Sequence, residues 1–132
     1  MDNRKTGGRT IAEMRELFEC LPHAEFRLDL GHARQIDPTM ATAMRMAQEF
    51  GSRLRQLHVS EVGPLGEHLP LSALAIYAFQ LVAPLLSRDC PVIIESVVTR
   101  DGIERETRIN AALFDPGREQ GRSLETALAL AT

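Results

Sequence analysis

Apolar residues recur at helical spacing in the first clear element. Ile11, Met14, Leu17, Phe18 and Leu21 follow Thr10, and Glu13 stands three residues after Thr10 as in a capping box. This predicts a helix from about Thr10 to Leu21, stopped by Pro22. The stretch Phe26-Arg27-Leu28-Asp29-Leu30 alternates with period two, which predicts a strand ended by Gly31 and places Asp29 at its C-terminal end. After Asp37-Pro38, the run Thr39 to Phe50 puts Met40, Met44 and Ala47 on one helical face, with Gly51 as its C-cap.

The same alternation of elements continues. Leu54 to Ser60 predicts a second strand, and Gly63, Pro64, Gly66 and Pro70 mark the loop after it. A helix is expected from near Ser72, interrupted at Pro84, then a third strand over Pro91 to Ser96. A last helix, with Asp101 and Glu104 near its start, runs to about Leu113. Helices and strands in strict alternation with short joins predict a parallel α/β sheet, because parallel neighbours need a crossover connection. The chain divides into an α/β unit over residues 1–114 and a poorly ordered or accessory tail over residues 115–132.

Strand parity carries the first functional signal. Phe26, Leu28 and Leu30, Leu57 and Val59, and Val92 and Ile94 would face the helices. Arg27 and Asp29, Gln56 and His58, and Ile93 and Glu95 then share the opposite face. Asp29, His58 and Glu95 thus occur once per strand, near the strand C-termini, where α/β folds place their sites. A carboxylate-imidazole set of this kind suits Mn²⁺, Zn²⁺, Co²⁺ or Fe²⁺. Singly, a strand-end aspartate or histidine more often pins a loop. Glu95 is different, since it follows three apolar residues and an unpaired carboxylate there is costly. His32, His68 and Glu61 are secondary candidates for substrate contact or ligand support, with solvation the ordinary reading of Glu61 and Glu67, and His23 reads as surface.

Composition removes several classes. A chain of 132 residues is long enough for one real core. The formal charge of -3 gives no basic field for nucleic acid. Cys20 and Cys90 lack metal-type spacing, the first residues lack a secretory core, and the apolar run Leu69 to Leu86 is broken by Pro70, Ser72, Tyr77, Gln80 and Pro84. The expectation is a cytoplasmic protein with neither nucleic-acid nor membrane partners.

Four segments carry a family resemblance: Leu28-Asp29-Leu30-Gly31-His32-Ala33, Leu57-His58-Val59-Ser60-Glu61, His68 with Pro70-Leu71-Ser72, and Cys90-Pro91-Val92-Ile93-Ile94-Glu95. In this order the sequence, over about residues 1 to 112, resembles the final strands of the xylose isomerase-like TIM barrel superfamily. That group holds sugar isomerases and epimerases, inosose dehydratases and type IV apurinic endonucleases. The resemblance implies a partial (β/α) TIM barrel made of about the last three to four β/α units. It implies a sugar phosphate isomerase or epimerase-like activity on a small sugar-like or polyol substrate, with one divalent metal (Mn, Zn, Mg or Co).

By the same resemblance Asp29, His58 and Glu95 are metal ligands and His32 is a further site histidine. The family's fourth ligand, a glutamate followed by asparagine, falls at Met1-Asp2-Asn3, which assigns Asp2 as the remaining ligand. Glu95 and Asp2 would then be the acid/base pair. The endonuclease loop pair of aspartate and histidine two apart reads Gly66 and His68 here, which departs from that branch. A full barrel extends over about 250 residues, so the expectation is a missing N-terminal half or a homodimer that completes it. The alternative is a non-catalytic barrel remnant or assembly module that pairs with another chain.

Overall fold

In the computed structural model, which describes residues 10–115 and 123–131, Thr10 accepts a hydrogen bond from the Glu13 amide while Glu13 reaches back to the Thr10 amide. This reciprocal cap starts α1 (Ile11–Cys20), which buries Ile11, Met14 and Phe18. The next elements are β1 (Phe26–Asp29), α2 (Leu30–Ile36), α3 (Ala41–Phe50) and β2 (Leu54–Val59). A small hairpin, β3 (Glu61–Val62) and β4 (His68–Leu69), leads to α4 (Ala73–Val82), β5 (Val92–Ile94), α5 (Arg100–Phe114) and α6 (Ser123–Ala131).

The main sheet has the order β1-β2-β5, all parallel, so β2 is central and β1 and β5 form its edges among the described residues. Leu28 pairs with Leu57 and Leu57 with Val92, which lines the apolar positions of all three strands across one face. Leu28, Leu57 and Val59 are completely buried and join Met14, Met46, Ile76, Phe79 and Ile109 in one helix-covered core. On the other face Arg27 and Gln56 are half-buried and Ile93 is 39% exposed. The expected parity of the strands therefore holds, and the chain is a mixed α/β structure built on a three-stranded parallel sheet.

Several boundaries differ from the sequence reading, each for a local reason. Gly31 does not end a strand in a loop; it lies in the first turn of α2, a helix that the alternation over Phe26–Leu30 does not predict. The Asp29 side chain accepts from the His32 amide at 3.0 Å and caps that helix, so the strand passes directly into it. A Cβ on Gly31 would stand 2.5 Å from the Ser60 carbonyl oxygen and 2.7 Å from Val62 Cγ2, so the α2 backbone meets β2 only because the side chain is absent. Gly51 is not a left-handed C-cap either. Its φ of -56° carries α3 on into a short 3-10 turn.

The start of α3 is set by Asp37, whose carboxylate accepts from the Thr39 hydroxyl, the Thr39 amide and the Thr42 amide. These bonds hold the Asp37 carboxyl below its ordinary range. They turn the chain so that Met40 sits at φ 62° with its side chain fully buried, and the helix begins at Ala41 rather than Thr39.

Within the expected tail, Ser123–Ala131 forms α6. Ala127 is buried in the core, and Leu128, Leu130 and Ala131 pack against it. No helix among the described residues is long and apolar enough to cross a membrane. Cys20 and Cys90 are free thiols.

Candidate metal centre

Parallel register builds the site. Asp29 pairs with His58 across β1 and β2, and His58 pairs with Ile93 across β2 and β5. Glu95 lies two residues beyond Ile93 and so projects from the same face. Its amide donates to the Val59 carbonyl at 2.9 Å, which keeps the chain in register just past the end of β5. One ligand atom each from Asp29, His58 and Glu95 lies within 4.8 Å of the other two.

The three groups differ in how they are held. Asp29 is 2% exposed, and one of its oxygens is fixed by the His32 amide. His58 is held from both sides: Nδ1 is 2.8 Å from Glu95 Oε1, and Nε2 is 2.8 Å from Gln56 Oε1. A neutral imidazole has a single N–H to donate. With Nε2–H donating to the Gln56 Oε1 acceptor, Nδ1 presents a lone pair toward Glu95 Oε1, and a cation shared by those two atoms would satisfy both. The other Glu95 oxygen, Oε2, is buried and has no hydrogen-bond partner among the described residues.

Two further histidines close the site. His32 Nδ1 is 3.1 Å from Gln35 Oε1, and which ring nitrogen carries the proton follows the orientation of the Gln35 amide. Its Nε2 is buried, has no hydrogen-bond partner among the described residues and lies 4.0 Å from Asp29 Oδ2. His68 Nδ1 is 2.7 Å from the Ser60 hydroxyl and 3.8 Å from Glu95 Oε2. The His32 and His68 rings meet edge to face at 5.5 Å between centroids.

This donor set fits a divalent cation of intermediate hardness. It offers two carboxylates and an imidazole from three strands, with no thiolate. Buried Glu95 Oε2 and His32 Nε2 both lack a hydrogen-bond partner among the described residues, and for the carboxylate oxygen this costs free energy unless a cation or a donor faces it.

Among the remaining candidates, Glu61 is engaged away from these groups. Its carboxylate accepts from the Ser72 amide at 2.8 Å and from Arg34 at 3.2 Å, tying β3 to α4 and α2. Burial pushes the Glu61 carboxyl up, but the Ser72 and Arg34 hydrogen bonds outweigh it and leave the group lowered. Glu67 caps the hairpin turn through the Leu65 amide. Asp2 lies outside the described residues. Gln56, on the site face by parity, was not among the expected site residues; its signal was its position two before His58 on one strand.

No protein-family model, curated protein or solved structure matches the chain. The site is therefore read from its own chemistry.

Proposed function

We propose that the chain binds one divalent metal through Asp29, His58 and Glu95 and acts as a sugar phosphate isomerase or epimerase-like protein of the xylose isomerase-like kind. In this reading it forms the C-terminal part of a (β/α) barrel whose remaining strands come from preceding chain or from a second copy. The observation that carries the proposal is the convergence of three donor atoms from three parallel strands within 4.8 Å of one another. The sheet face opposite the helix-covered core, where the same residues project, supports it as the side on which a substrate would lie.

Asp29 and His58 would hold the ion, with Gln56 orienting the imidazole. When bound, the metal would polarise the oxygens beside the reacting carbon and make its proton easier to remove. Glu95 Oε2 would take that proton and return it, a role open to it because the atom has no hydrogen-bond partner among the described residues. His32 and His68 would contact substrate hydroxyl or phosphate oxygens, and Asp2 would supply the second acid/base. Mn, Zn, Mg and Co all suit this donor set.

A panel of ketose and aldose phosphates incubated with the protein in D₂O, with each metal in turn, tests the reaction. Metal-dependent deuterium incorporation next to a carbonyl, lost in Glu95→Gln, is expected. No incorporation from any substrate, in a protein that does bind metal, would favour the second reading. That reading is a non-catalytic barrel remnant or assembly module, and the position of β1 and β5 at the edges of the sheet among the described residues favours it.

A further inference from the structure

The placement of His68 depends on a residue far from the strand ends. Arg105 of α5 donates through Nη2 to the Leu71 carbonyl at 3.1 Å and through Nε to the Leu130 carbonyl at 2.9 Å. The same Nη2 reaches the Ala131 carbonyl at 3.4 Å. One guanidinium thus joins the last turn of α6 to the segment that follows β4. Its neighbour Glu106 is 1% exposed and accepts from the Leu71 amide at 2.9 Å and from Arg105 Nη1 at 2.9 Å. Both backbone polar groups of Leu71 are therefore bound by consecutive residues of α5.

Leu71 stands three residues after His68, with Pro70 between them fixing the backbone φ. At its other side β4 is held by the Val97 amide, which donates to the His68 carbonyl at 3.0 Å, two residues beyond Glu95. The His68 ring is held directly by the Ser60 hydroxyl and its backbone by pairing with Val62, and the segment that carries it runs between the bond at Val97 and the clamp at Leu71. Removing α6 would take away two of the carbonyl acceptors that hold Arg105. A guanidinium has five donors in a rigid fork. Losing those acceptors leaves the fork held by Glu106 alone at one end, which weakens its bond to the Leu71 carbonyl while the Leu71 amide stays on Glu106.

We propose that α6 is a strap whose docking sets the position of His68 through Arg105, Glu106 and Leu71. Arg105 and Glu106 are positioning residues in this scheme, and the coupling stands whether or not a metal is bound. It makes the C-terminal segment a control element, because lifting α6 loosens the Leu71 clamp behind the segment that carries His68.

Two full-length variants test this from opposite ends. Arg105→Gln removes the shared donor, and Ala127→Asp forces a carboxylate into a fully buried α6 position without touching the clamp. Amide hydrogen exchange would be followed in residues 123–131 and in residues 68–71, together with the NMR signals of the His68 ring. In both variants exchange in the two segments should rise together, by about tenfold or more, while β1 and β2 stay protected. The His68 ring signals should move as well. Exchange that rises in α6 alone, with residues 68–71 protected and the His68 ring unmoved, would overturn the proposal.

Discussion

His58 Nδ1 stands 2.8 Å from Glu95 Oε1, although the two residues are 37 positions apart and come from neighbouring parallel strands. The pair is set by register, not by a loop. The backbone bond from the Glu95 amide to the Val59 carbonyl places the carboxylate where the imidazole already points. This contact organises the candidate centre, with Asp29 entering from the opposite neighbour of β2.

Gln56 is the first point at which that organisation is testable. It holds the far nitrogen of the His58 ring, so Gln56→Leu should leave the fold intact and weaken metal binding about ten- to a hundredfold, as loss of an outer-shell partner does. Calorimetric titration with Mn²⁺ or Co²⁺ measures it. Unaltered affinity would remove Gln56 from the site.

Gly31 tests the packing beneath the site. Gly31→Ala places a methyl against the Ser60 carbonyl and Val62, and backbone cannot yield as a flexible side chain would. A loss of about 1–3 kcal/mol in urea unfolding is expected, in the range found for overpacked interiors. A neutral result would mean that α2 moves freely against β2.

Glu61 gives a pH signature. Its carboxyl is lowered in the folded protein, so as the pH falls the unfolded chain takes up this proton before the native one does. The stability it contributes is therefore present above the ordinary carboxylate value and is lost as the pH drops through the folded one. Glu61→Gln should be less stable than the parent at neutral pH, with the gap narrowing below the carboxylate range. Thermal melts across that range would show a constant gap if the Ser72 and Arg34 contacts were irrelevant.

Much of the site was readable in the sequence because period-two alternation fixes which side chains share a face. Asp29, His58 and Glu95 each fall at one strand end with apolar neighbours, and parallel pairing then brings them together. Other features depend on contacts that local patterns do not encode. Gly31 looks like a terminator, but its lack of a Cβ serves the close approach of α2 to Ser60, and Asp29 serves as strand end and helix cap at once. The β3–β4 hairpin has two residues per strand and is held by Glu67 and Val97, too short for any alternation to register. α6 is likewise defined by tertiary contact, through burial of Ala127 and the Arg105 bonds to its last carbonyls. Glu61 and Arg34 look like ordinary surface charges in sequence, and only the folding of β3 beside α2 pairs them.

The central claim is that Asp29, His58 and Glu95 form one metal site. Titration of the full chain and of Asp29→Ala, His58→Ala and Glu95→Ala with Mn²⁺, Zn²⁺ and Co²⁺, with folding checked by circular dichroism, tests it most directly. A single ion per chain is expected, with each substitution weakening binding beyond the roughly hundredfold limit of an outer-shell loss. Equal affinity and stoichiometry in the parent and all three variants would contradict the account.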